Sequence, residues 1–87
     1  MSSSKDIKID SAKAVVLRIQ ELSAEKGMKP YTLALKADIP RATLESILNK
    51  GVSPTITSIG RICRGFDITL REFFDSEYFD ICEENEE

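Results

Sequence analysis

The chain has no histidine, no tryptophan, two cysteines and three prolines in 87 residues. Without histidine, and with Cys63 and Cys82 19 residues apart, neither a zinc cluster nor a Ser/His or Cys/His catalytic arrangement can be assembled. No metal, cofactor or small-molecule ligand is expected. Enzyme activity is not expected either, because the candidate acids are tail residues with no partner base. Long apolar runs are also missing. The longest, Ala14 to Leu17, has four residues, and the opening Met1-Ser2-Ser3-Ser4-Lys5-Asp6 has no signal-peptide core. A soluble, cytoplasmic protein with no membrane partner is the expectation. In that reducing compartment the cysteines read as thiols, and Cys63 falls where a helix wants a small apolar residue.

What is present is 41% apolar residues. A chain this short buries about two-thirds of its unfolded surface, so one core or a dimer interface must account for nearly every apolar side chain. The charge is divided unevenly. Residues 1–66 carry seven lysines and four arginines against six acids, a balance of +5, whereas residues 67–87 carry Arg71 against nine acids, a balance of −8. A mildly basic body followed by an acidic tail is a different object from a uniformly acidic protein.

Helical spacing accounts for most of the body. Val15, Ile19, Leu22 and Lys26 follow Asp10 or Ser11, either of which can cap a first helix that Gly27 ends. A second, barely two turns long, begins at Lys29-Pro30 and runs through Leu33, Ala34 and Lys36. Ala37-Asp38-Ile39-Pro40 interrupts it, since a residue before proline avoids helical dihedrals and aspartate tolerates a left-handed turn. A third runs from about Pro40 to Lys50 with Leu44, Ile47 and Leu48 on one face, and Gly51 supplies a left-handed stop. Thr55 caps a fourth, in which Ile56, Ile59, Ile62, Cys63 and Phe66 recur at spacings of three and four. Gly60 and Gly65 each weaken it by about 1 kcal/mol relative to alanine, which points to close packing or a helix end at those positions. A last piece, Thr69 to about Asp75, carries Leu70, Phe73 and Phe74. With no period-two segment and no internal repeat, the fold class is all-α.

Helices two and three, short and joined by a three- to four-residue turn, form a helix-turn-helix pattern. Ala34 is small enough for a close crossing, and Ile39, Leu44 and Ile47 fix helix three against the core. At about 100° per residue the opposite face of helix three carries Ala42, Ser46 and Asn49, with Arg41 in the first turn and Glu45 on the flank. A merely solvated face is richer in glutamate and lysine, whereas Arg, Ala, Ser and Asn let a helix approach base edges and phosphates.

From about Val16 to Phe74, roughly two-thirds of its length, the chain resembles the lambda-repressor-like, Cro/C1-type (XRE family) helix-turn-helix domain, a five-helix bundle that binds operator DNA. The motif itself is Leu33-Ala34-Leu35-Lys36-Ala37-Asp38-Ile39-Pro40-Arg41-Ala42-Thr43-Leu44-Glu45-Ser46-Ile47. Asn49-Lys50-Gly51, Ser53-Pro54-Thr55 and Asp67 to Phe74 look like the family's continuation into helices four and five. The resemblance implies base contacts at Arg41, Ala42, Glu45 and Ser46, and backbone contacts at Asn49 and Lys50. Two positions depart from the family pattern. Pro30 stands where glutamine is usual, leaving Lys29, Tyr31 and the free amides of that helix end to meet the phosphate. Asp38 stands where the turn glycine is usual and brings a negative charge near the DNA side.

Three regions follow: a flexible polar lead over residues 1–10, the helix-turn-helix domain over 11–75 and an acidic tail over 76–87. Phe66, Phe73 and Phe74 read as core. Tyr78, Phe79 and Ile81 lie inside the acidic stretch and form either a sixth short helix folded back on the body or a dimer contact, and Glu83 to Glu87 read as a solvated end. The expected function is sequence-specific transcriptional regulation, with repression as the expected sense. One recognition helix offers too few base contacts for operator-grade selectivity. A homodimer on an inverted repeat of double-stranded DNA is therefore expected, with Phe74, Tyr78, Phe79 and Ile81 at its interface. The rival reading is a protein-interaction module, antitoxin-like or an adaptor, that keeps the fold.

Overall fold

Asp10 starts the first helix, its side chain accepting a hydrogen bond from the Lys13 amide at 2.8 Å. The structure, a computed structural model, describes residues 9–83, and five α-helices follow one another along them: α1 (Ser11–Lys26), α2 (Pro30–Ala37), α3 (Arg41–Asn49), α4 (Ile56–Phe66) and α5 (Leu70–Phe73). Helix α1 stops at Gly27, whose φ of 62° is left-handed, and Asp38 ends α2 in the same conformation at φ 59°. The aspartate thus does the work of a turn glycine. Its neighbour's amide, Ile39 N, donates back to Ala34 O at 3.1 Å and closes the helix end.

The core comes from all five helices. Val15, Val16, Ile19 and Leu22 of α1, Leu33, Ala34 and Ala37 of α2, Leu44 and Ile47 of α3, Ile59, Ile62, Cys63 and Phe66 of α4 and Phe73 of α5 are buried in one cluster, with Ile39 of the turn. Leu48 and Phe79 pack against it from the edge. Gly65 behaves as the spacing implied, since a Cβ there would lie 3.0 Å from the Ala37 amide nitrogen and 3.1 Å from Leu33 Cδ1, so α2 and α4 meet backbone to backbone. Gly60 does not. A Cβ there meets nothing within 4 Å, and the helix runs on to Phe66 before Asp67 turns it at φ 64°. Phe74, read as core with Phe66 and Phe73, is instead exposed, because α5 ends at Phe73 and turns the next ring outward, and Ile56 also departs from expectation. It begins α4 one turn before the core contact of Ile59 and is 62% exposed.

The last helix is shorter than its sequence pattern. Thr69 and Glu72 form a reciprocal capping box, with Glu72 N to Thr69 Oγ1 at 3.0 Å and Thr69 N to Glu72 Oε1 at 2.8 Å, but only Leu70–Phe73 is helical. Arg18 of α1 explains how so short a helix is held. Its Nε donates to Phe73 O and its Nη2 to Glu72 O, each at 2.7 Å, while Nη1 pairs with Glu21. Beyond it, Glu77–Phe79 forms a single 3₁₀ turn. The chain then returns to its beginning, where Ile9 and Cys82 form an isolated parallel bridge and Glu83 N donates to Ile9 O at 2.7 Å. Glu83 is therefore bonded to the body rather than part of a solvated end, and Ile9 and Asp10 belong to the fold rather than to the polar lead. Residues 1–8 and 84–87, where the remainder of those two expectations falls, lie outside the described residues.

Candidate nucleic-acid interface

Burial of Leu44 and Ile47 fixes the rotation of α3 and decides which side chains face outward. Arg41, Ala42, Glu45 and Asn49 are exposed, Ser46 is half-buried, and Lys50 beyond the helix is exposed. Lys29 and Tyr31 at the start of α2 are exposed as well, the tyrosine by 56%. Five of these eight, Lys29, Tyr31, Arg41, Glu45 and Asn49, line one surface cleft of about 530 Å³ between α1, α2 and α3. Ala42, Ser46 and Lys50 lie outside it. Gln20 and Ser23 of α1 complete its wall, and neither was picked out by sequence. No local pattern brings α1 against the start of α2 and the middle of α3; only the packed bundle does.

Within the cleft Arg41 has two neighbours. The Glu45 carboxylate, one turn further on, forms an ion pair with it, Oε2 lying 3.4 Å from Nε, and the centroid of the Tyr31 ring lies 5.5 Å from the guanidinium carbon, a cation–π distance. The first contact is an i,i+4 pair readable from sequence. The second crosses from one helix to the next and is not.

The helix starts are not all closed alike. Asp10, Thr55 and Thr69 cap α1, α4 and α5 with their side chains, whereas Lys29 before α2 and Pro40 before α3 make no side-chain cap. The amides of Tyr31 and Thr32 in α2, whose first residue Pro30 has none, and of Arg41 and Ala42 in α3 are thereby left for an outside acceptor, and helix N-termini favour anions. Arg61 of α4 donates to Asp38 O at 3.2 Å, which brings a positive charge to the turn where Asp38 stands in place of glycine. The arrangement can bind an anionic backbone and present an arginine fork to a planar acceptor pair.

Among the described residues no three histidine, cysteine, aspartate or glutamate side chains come together to hold a metal ion, and none of the described helices is long and apolar enough to cross a membrane. Burial pushes the Cys63 thiol up from its ordinary range, the nearby Arg18 charge opposing this only in part, so Cys63 stays protonated and packs as an apolar residue.

The interface expected at the tail divides in two. Phe79 packs tilted against Phe73 and edge-on to Phe74, with ring centroids 6.0 and 4.8 Å apart. Phe74 and Phe79 line an apolar groove with Val15, Pro54, Ile56 and Ile59. Tyr78 and Ile81 instead line a groove rimmed by the charged residues Arg18, Glu21, Asp75, Glu77 and Asp80, where Phe74 also takes part.

No curated protein sequence matches the chain, but solved structures do. The wild-type restriction-modification controller protein C.Esp1396I is 26% identical, with 79% of this chain and 88% of that one covered at a TM-score of 0.70. A tyrosine-to-phenylalanine mutant of it bound to its highest affinity operator site, OM, covers 79% and 90% at 26% identity and a TM-score of 0.71. A C.Esp1396I nucleoprotein complex covers 84% and 95% at 26% identity and a TM-score of 0.73. The family model for the Cro/C1-type helix-turn-helix DNA-binding domain matches residues 18–77. With that match spanning most of the chain and the helix-turn-helix formed by α2, Asp38 and α3, the protein belongs to the Cro/C1-type helix-turn-helix DNA-binding family.

Proposed function

We propose that the protein regulates transcription as a homodimer on an inverted-repeat operator, with α3 in the major groove and repression as the expected outcome. Arg41 reads a guanine edge, Ala42 and Ser46 make short base contacts, and Glu45 stands beside them. Lys29, Tyr31, Asn49 and Lys50 hold the phosphate backbone. One observation carries this reading: Lys29, Tyr31, Arg41, Glu45 and Asn49, from two helices, meet in one cleft. The uncapped starts of α2 and α3 beside it and the operator complex among the similar structures support it. The same face serves an adaptor in the rival reading, which the −8 balance of residues 67–87 favours.

Selection of bound duplexes from a randomised library, followed by salt titration, separates the two. A DNA reader yields an inverted repeat and a sequence-independent mode that weakens steeply with salt. Arg41→Ala should cost about 1–3 kcal/mol and relax one base position per half-site, whereas Lys50→Ala should weaken all sequences alike. A protein that enriches no sequence and shows no salt-dependent binding to random DNA is an adaptor.

A further inference from the structure

The position of Arg41 is not explained by helix stability. It occupies the first turn of α3, where the helix dipole opposes a positive charge. It also precedes Glu45 in the pair, the weaker order for an i,i+4 ion pair, and the two side chains are 65% and 51% exposed, so their attraction adds little to folding. Yet the guanidinium is held from two sides, by the Glu45 carboxylate at Nε and by the Tyr31 ring. Nε is the inner nitrogen. With Nε facing Glu45, the two Nη nitrogens are the donors that remain, and no ion pair from the described residues engages them. They form the edge whose two parallel N–H groups match O6 and N7 of guanine. An unrestrained arginine loses rotamer freedom on docking, and one already oriented loses less.

We propose that Glu45 is a positioning residue for base discrimination: with the Tyr31 ring it pre-sets the Arg41 guanidinium so that the Nη edge meets guanine, while its own charge weakens sequence-independent binding. The inference rests on the DNA-reading function proposed above. The two effects of Glu45 have opposite signs. Its carboxylate sits on the face that approaches phosphates and repels them, so non-specific affinity is reduced while selectivity is gained. A residue that only stabilised α3 would raise both affinities together, and a residue acting only through its charge would lower both together.

The test uses the full chain as wild type, Glu45→Ala, Glu45→Gln, Tyr31→Leu and Arg41→Ala, with thermal melting to verify folding. Dissociation constants are measured for the selected duplex, for its guanine-substituted versions and for random duplex. Glu45→Ala should lower the preference for guanine about three- to ten-fold and raise random-duplex affinity about two- to three-fold at low salt. Glu45→Gln, which keeps an acceptor oxygen, should fall between wild type and alanine. Tyr31→Leu should lower the preference without raising random-duplex affinity. An Arg41-dependent guanine preference that survives Glu45→Ala overturns the proposal while leaving the DNA-reading function intact, and so does a change in both affinities by one common factor. If Arg41→Ala itself leaves the selected sequence unaltered, Arg41 is no base reader, and this inference falls with that assignment.

Discussion

Gly60 and Gly65 stand five residues apart on α4 and serve different ends. At Gly65 an added Cβ would press on the Ala37 backbone, which cannot rotate away, whereas at Gly60 it would meet open space. Gly65→Ala should therefore destabilise the fold by about 1–3 kcal/mol through overpacking, and Gly60→Ala should stabilise it by up to about 1 kcal/mol by restricting the unfolded chain. Urea unfolding midpoints check both, and equal shifts of the same sign would refute the distinction. Helix propensity marked the two glycines as equivalent weak points. What separates them is the neighbouring helix, which enters only when residues 33–37 fold onto 65. The same limit applies to the candidate site. Helical angle placed Ala42, Ser46 and Asn49 on the outward face with Arg41 in the first turn and Glu45 on the flank, but Tyr31 against Arg41 depends on how α2 crosses α3.

Helix boundaries were the most legible feature, because each rests on chemistry within four residues. Asp10 and Thr55 cap where their positions suggested, Thr69 caps α5 from just outside it rather than opening it, and Gly27 and Asp38 turn left-handed as expected. Helix α3 falls within one residue of its expected span at both ends. The end of α5 was not legible, since it is set by Arg18, more than fifty residues earlier. That arginine is only 12% exposed and serves two carbonyl oxygens of a four-residue helix. Arg18→Met keeps the bulk of the stem and removes the donors. It should destabilise the protein by about 2–3 kcal/mol, because hydrogen bonds from a charged donor are among the stronger ones and the Phe73 carbonyl is left partly buried without it. Amide hydrogen exchange should show the loss concentrated at residues 72–83. A variant with the wild-type midpoint and exchange pattern would show that α5 is held by Phe73 packing alone.

At the scale of the whole molecule the remaining question is what covers the apolar groove of Pro54, Ile56, Phe74 and Phe79. Ile56 is 62% and Phe74 38% exposed, and the groove shares no residue with the candidate DNA cleft. A second copy could therefore pair here while both copies of α3 remain free, as binding with recognition helices about 34 Å apart requires. Of the expected interface residues Phe74, Tyr78, Phe79 and Ile81, the proposed contact keeps Phe74 and Phe79 and adds Ile56, with Tyr78 and Ile81 set in the charge-rimmed groove instead. Ile56→Glu puts a charge into the proposed contact without disturbing the core, since the side chain is largely exposed already. It should weaken self-association at least about tenfold and reduce affinity for the full inverted repeat, while binding of one protomer to a half-site is retained, because the second protomer's contacts are lost but the reading face is not. Ile81→Glu should do far less. Sedimentation at micromolar concentration, with and without the selected duplex, reads both. A wild type that is monomeric under both conditions removes the homodimer. A dimer that tolerates Ile56→Glu but dissociates with Ile81→Glu moves the contact back to the tail.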